Sequence, residues 1–216
     1  MYAALLTCAR CCAHCQVNPF VGCLGTARVD GDKSASAMLA GTHGGNVDVK
    51  ELCKGTRVLL PVYAKGGLLF LGDLHAQQGH GEFMGGALEV SGEVDLSIRV
   101  VKRDAEKGEH PLTCPRFYAS ERRGVMAVAP TMEDAVGNGI AALVGWVSEA
   151  GTLAPVDAYA YVTQTCEVGF GGVSKACGYA GKESEAIETA GGGEARQGRV
   201  LPGVAMGAVV RDEISD

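Results

Sequence analysis

From Glu89 to Lys102 the chain carries its clearest periodicity, with Val94, Leu96, Ile98 and Val100 alternating with Glu93, Asp95, Ser97 and Arg99. A period of two places every second side chain on one face of an extended backbone, so the segment predicts a half-buried antiparallel strand. Glycine argues the same way for much of the chain. The 32 glycines sit largely between apolar pairs and beside turns, which suits a β-rich fold with many corners.

In chain order, Asn18 to Gly22 reads as a turn into a short strand over 23–27, and 28–40 as a loop. Lys54-Gly55 signals a turn into a strand over 57–63, where Pro61 requires an edge or a bulge. A strand resumes over 113–119. Thr131-Met132-Glu133-Asp134 resembles a capping box with Asp in place of Glu, and Val136, Ile140, Leu143 and Val147 follow at helical spacing. That predicts an amphipathic helix over 132–149, ended by Gly151, with a shorter helix over 155–165. Residues 167–178 are ambiguous and lean to strand, 182–199 are a flexible loop almost without apolar residues, and 200–210 add a last strand. The expectation is a mainly β protein with flanking helices: a single domain over 17–216 after an irregular, cysteine-rich start over 1–16.

A formal net charge of −6, no Lys/Arg cluster and few aromatics argue against nucleic-acid binding. No segment approaches the length of a membrane span, and the opening MYAALLTCARCC lacks the basic and apolar regions of a secretory signal. Nine cysteines is an odd number, and five of them, Cys23, Cys53, Cys114, Cys166 and Cys177, are scattered through regular segments, which suits reduced thiols in the cytoplasm better than a disulfide framework. Cys8-x-x-Cys11 and Cys12-x-x-Cys15 have the form of zinc-knuckle halves, but they abut without a loop to wrap an ion.

Chemistry concentrates in two places. Residues 66–89, GGLLFLGDLHAQQGHGEFMGGALE, put Asp73, His75, Gln77, Gln78, His80 and Glu82 within ten positions. Thr42-His43-Gly44-Gly45-Asn46-Val47-Asp48 is the second concentration, again on glycine-rich backbone. Taken singly these residues have plainer readings: Asp-x-His as loop chemistry, His43 as a turn acceptor, Asp48 as a cap on 49–53, Glu82 as an exposed acid.

Taken together, the two clusters resemble the acetamidase/formamidase family, whose members read Gly-Gly-Asn-x-Asp, an apolar strand ending Pro-Val, and Gly-Asp-x-His-x-x-Gln-Gly-Asp-Gly-Glu. Residues 43–48, Leu59 to Val62 and Gly72 to Glu82 are similar to these elements, in the same order and spacing. Asn18 to Gly25 resembles the family's Pro-Phe-x-Gly-x-x-Gly turn, and the likeness extends over about 17–175. It implies a β-sandwich-like β/β/α arrangement, a homo-oligomer, a bound divalent metal, and hydrolysis of formamide or acetamide to carboxylate and ammonia.

Amide hydrolysis needs an activated water, a polariser for the oxyanion and a proton donor for ammonia, and a bound divalent ion supplies the first two. On that resemblance Asp48, Asp73 and His75 are the expected ligands, with His80 a further one and zinc favoured over calcium. Glu82 is the expected proton shuttle beside His75, Asn46 orients the substrate, and Gly79 and Gly81 bring backbone N–H groups against it. Two departures are visible. His80 stands where the family has Asp, and family members carry a longer part before the Pro-Phe turn. They motivate an alternative expectation: a truncated member that keeps fold and metal without turnover.

Overall fold

The computed structural model describes residues 5–7, 14–28, 36–102, 111–119, 122–149, 153–173, 175–177 and 201–211. Their elements, in chain order, are β1 (Leu5–Thr7), β2 (His14–Gln16), β3 (Phe20–Gly25), β4 (Gly44–Asn46), β5 (Arg57–Leu59), β6 (Phe70–Gln77) and β7 (Leu88–Glu89). There follow β8 (Arg116–Ala119), β9 (Arg122–Ala129), α1 (Met132–Glu149), α2 (Pro155–Thr165), β10 (Cys166–Phe170), β11 (Lys175–Cys177) and β12 (Leu201–Arg211). The named strands pair antiparallel. One sheet runs β4-β3-β6-β7, a second runs β10-β12-β9-β8-β5 with β11 also on β12, and β1 pairs β2.

Strand alternation in β9 explains the layering. Val125 and Ala129 join the core formed with Ala135, Leu143, Trp146 and Val147 of α1 and with Ala158 and Val162 of α2. Met126 and Val128, one residue out of phase, join Phe117 and the loop residues Ala40, Val47, Val49 and Leu52 in a second core. The two faces of one sheet thus bury two clusters, the helices covering one and the 40–52 segment of the first sheet covering the other. The fold is mainly β with two helices, in a β/β/α order of layers.

Helix α1 forms because its sequence specifies both face and start. The Asp134 N–H donates to Oγ1 of Thr131 at 3.1 Å, satisfying one of the orphan donors of the first turn. Leu143 is fully buried, and Trp146 receives Tyr118 edge-on at 5.1 Å between centroids. Gly137, Gly139 and Gly145 lower the helix's intrinsic propensity and are tolerated because packing holds it.

Several boundaries differ from expectation. The strand expected over 89–102 forms only at its start, where Glu89 belongs to β7: pairing ends where Val90 donates to the Leu74 carbonyl at 2.9 Å, and residues 91–102 lie without a ladder. Alternation confers a preference, but a strand exists only when another edge accepts its hydrogen bonds. Strand β6 extends through Asp73 and His75, so the polar motif begins inside the sheet, not in the loop after it. Strand β5 stops at Leu59, before Pro61, whose carbonyl accepts from the buried hydroxyl of Thr26 at 2.6 Å. Within the stretch expected to be irregular, Leu5–Thr7 and His14–Gln16 form a paired ribbon. Cys8, Cys11, Cys12 and the expected loop over 182–199 lie outside the described residues. No disulfide joins Cys15, Cys23, Cys53, Cys114 and Cys166, which stand as thiols.

Candidate metal centre

Asp48 is delivered by the turn after β4. Val47 and Val49 on either side are buried in the second core, which fixes the backbone between them. The Asp48 N–H donates to the carbonyl of Gly22 on the adjacent β3 at 3.0 Å. Gly22 is needed for this approach, since a Cβ there would lie 2.6 Å from Oδ1 of Asp48 and 2.8 Å from the Asp73 carbonyl.

His75 projects from β6, opposite Phe20 in the register, and Phe20 meets its ring edge-on at 5.0 Å. Nδ1 of His75 is 2.8 Å from Oε1 of Gln78, and Nε2 of Gln78 donates to the Asp48 carbonyl at 2.8 Å. That carbonyl can only accept, so the amide nitrogen of Gln78 must face it and its oxygen must face His75. Nδ1 therefore carries the ring proton, and in the neutral ring Nε2 is left as the lone-pair nitrogen. Around Nε2 stand Oδ1 of Asp73 at 3.1 Å and Oδ1 of Asp48 at 3.9 Å. A lone pair facing two carboxylate oxygens calls for a cation or a second ring proton between them.

Glu82 completes the group from the loop after β6. Its position is set by backbone bonds to a distant segment: Gly81 N–H donates to the Phe170 carbonyl, and Val173 N–H to the Gly81 carbonyl, each at 2.9 Å. The neighbouring Gly172 N–H donates to the Val47 carbonyl at 3.2 Å. The segment 170–173 thus clamps the residues immediately before both Asp48 and Glu82. Gly171 carries no side chain because a Cβ there would collide with the Val47 carbonyl oxygen.

One ligand atom each from Asp48, His75 and Glu82 lies within 4.8 Å of the others, and all three residues are buried. A second set, Asp73, His75 and Glu89, meets the same criterion and shares the imidazole; Glu89 is exposed on β7, opposite His75 in the register. Two carboxylate charges at about 5 Å repel by roughly 3 kcal/mol at an effective dielectric of about 20, which a bound cation reverses. Oxygen and imidazole donors in one buried cluster are a set that could hold a divalent metal ion.

Among the described residues, four that are not glycine have positive φ: Asp48 at 49°, Leu68 at 50°, Asp73 at 57° and Glu82 at 42°. Three of them are acids of this centre. The left-handed region costs roughly 1–3 kcal/mol per such residue and persists where the surroundings over-determine it.

The remaining expected residues sit elsewhere. His80 is exposed, its Nδ1 3.4 Å from the Phe170 carbonyl, and it belongs to neither ligand set. Between His80 and Glu82, Gly81 has a φ of 91°, a backbone that lets the chain turn, with Glu82 buried and His80 exposed. Asn46 is fully buried in β4, across from Cys23. Gly79 is exposed, whereas Gly81 already donates its N–H to Phe170. Gly22, Gln78, Glu89 and the 170–173 clamp were not expected. Gln78 was visible as part of the polar run, and Gly22 as part of the Pro-Phe turn, but no spacing rule marks either as a partner of His75 or Asp48. Gln78 also lines a cleft of about 350 Å³ with Gln16, Asn18, Lys50, Glu51 and Gln77, so open space adjoins the centre.

The sequence pattern of the Acetamidase/Formamidase family matches residues 16–187. A formamidase of Methylophilus methylotrophus is 34% identical over 169 residues, covering 74% of this chain and 38% of the relative. The solved structure of a predicted acetamidase/formamidase of Thermoanaerobacter tengcongensis superposes with a TM-score of 0.73 at 24% identity, over 94% of this chain and 56% of that one. An acetamidase of Bacillus halodurans superposes with a TM-score of 0.72 at 23% identity, over 94% of this chain and 57% of that one. The chain therefore spans little more than half the length of these solved proteins, and less of the formamidase.

Proposed function

Because this chain belongs to the acetamidase/formamidase family, we propose that it hydrolyses a short linear amide, formamide or acetamide, to the carboxylate and ammonia. The observation that supports this reading is the convergence of Asp48, His75 and Glu82, from segments far apart in the chain, on one buried cluster.

Asp48 and His75 would hold a divalent ion, with Asp73 at its open side. When bound, such an ion acidifies a water and polarises a carbonyl. Gln78 keeps the proton of His75 on Nδ1 and so presents Nε2 as a donor atom. Glu82 takes a proton from the attacking water and returns it to the amide nitrogen as the C–N bond breaks; ammonia leaves, and the acid left behind releases the water's second proton to become the carboxylate. Asn46 orients the substrate amide, and Gly79 offers it a backbone donor. A nitrogen among the donors favours zinc over calcium, which takes oxygen ligands. The described thiols fit the cytoplasm, and we take the chain to act as a homo-oligomer.

Element-specific metal analysis of the purified chain, with ammonia release measured on formamide and acetamide, tests the proposal. Bound stoichiometric metal and release abolished by a chelator are expected. Metal-loaded protein that frees no ammonia from any short amide would end it. A second reading, an ion-binding chain without turnover, is favoured by His80 standing outside the centre where the family has Asp. Turnover gained in His80→Asp from an inactive parent would establish it.

A further inference from the structure

Residues 91–102 have the sequence of a strand and lie without one. Leu96 is 47% exposed, Ile98 69% and Val100 79%, while Asp95, Ser97 and Arg99 of the opposite phase are exposed too. Water therefore reaches both faces of a segment whose alternation is built for one wet face and one dry one. Phe83 and Met84, earlier in the chain, are also exposed. A long, apolar, unpaired strand is a template for another edge.

The order of its residues indicates which edge. When the segment is laid antiparallel against itself with Ser97 opposite Ser97, Val94 faces Val100, Leu96 faces Ile98, and Asp95 faces Arg99, each pair occurring twice. The apolar pairs fall on one face and the two ion pairs on the other. Directly opposed aliphatic and opposite-charge pairs are those that stabilise an antiparallel ladder, and a pairing that maps a segment onto itself has the two-fold symmetry of an isologous dimer.

We propose that residues 93–101 pair antiparallel with the same residues of a second copy of this chain, on a two-fold axis at Ser97. This rests on the homo-oligomer reading above and is independent of the amide chemistry. A two-stranded ribbon is marginal by itself, so the dimer is reversible and concentration-dependent.

Light scattering on size-separated protein across the micromolar range, with Asp95→Arg, Arg99→Asp and the double variant, tests it. Each single substitution sets like charges opposite one another at two places and is expected to weaken self-association by roughly ten-fold or more. The double variant restores opposite charges and is expected to dimerise like the parent, and an equimolar mixture of the two single variants should form the mixed dimer. This rescue also separates lost pairing from lost folding. A parent that is monomeric at every concentration overturns both the surface and the oligomer reading. A dimer indifferent to the single substitutions keeps that reading and overturns this surface. A dimer weakened by Arg99→Asp but not by Asp95→Arg overturns the register, since centring on Leu96 would set Glu93 opposite Arg99.

Discussion

Gly22 lies so close to Asp48 that a methyl group on it would stand 2.6 Å from the carboxylate oxygen. The same methyl would lie 3.0 Å from Oδ2 of Asp73, so two acids of the centre meet the one missing side chain. Gly22→Ala is expected to displace both carboxylates, cut metal occupancy and lower kcat by about 100-fold, while costing about 1–3 kcal/mol of stability. Metal analysis beside chemical denaturation separates the two effects, and unchanged occupancy would show that Gly22 does not gate the centre.

Gln78 supplies the acceptor for His75 and the donor for the Asp48 carbonyl. Gln78→Leu removes both and is expected to weaken metal binding 10–100-fold. The ring ¹⁵N shifts of His75, read at constant pH in metal-free protein, should report the Nδ1–H tautomer in the parent and a mixture in the variant. An unmixed tautomer in Gln78→Leu would mean that Gln78 packs without orienting the ring.

Glu82 holds a left-handed backbone that only glycine adopts freely. Glu82→Gly is expected to relieve that strain and remove a buried carboxylate, raising metal-free stability by about 1 kcal/mol after the entropic cost of glycine. Ammonia release should fall by about 10²–10⁴-fold. Denaturant unfolding under chelation checks the first half, and a loss of stability there would show that Glu82 holds the loop in place.

Burial raises the Cys114 thiol from 9.0 to about 11, against the opposing pull of Arg116 and a hydrogen bond with Thr113. Below 9.0 the thiol is neutral in both states and costs nothing. Between 9.0 and about 11 the unfolded chain loses the proton that the folded chain keeps, so stability falls as pH rises, by about 3 kcal/mol once both values are passed. Comparing unfolding of the parent and Cys114→Ala across that window should show the gap opening in favour of the variant. Native Cys114 should also alkylate more slowly than Cys53, and equal rates would place Cys114 within reach of solvent.

Local signals carried local structure. Thr131 marked the start of α1 and the apolar spacing its buried face, because a cap and a helical stripe are decided within a few residues. Asp48, His75 and Glu82 could be named because the polar runs that hold them resemble the family's elements in order and spacing. The alternation over 94–100 misled for the opposite reason: pairing depends on a partner edge, which no window of the segment contains. Gly22 and Gly171 were silent because what matters there is the side chain they lack, measured against Asp48 and Val47 far along the chain. His80, in the same polar run as Glu82, was expected as a ligand, yet it is exposed beside the Phe170 carbonyl and belongs to neither ligand set among the described residues.

Synthesis proceeds from the N-terminus, and the bonds from Gly172 and Val173 reach back to Val47 and Gly81. The last of these donors leaves the ribosome some ninety residues after Gly81, roughly 5–20 s later at ordinary elongation rates. Until then the residues just before Asp48 and Glu82 lack these bonds, although Asp73 and His75 already stand on β6. The arrangement that brings Asp48, His75 and Glu82 together is therefore completed only once the 170–173 segment has been made.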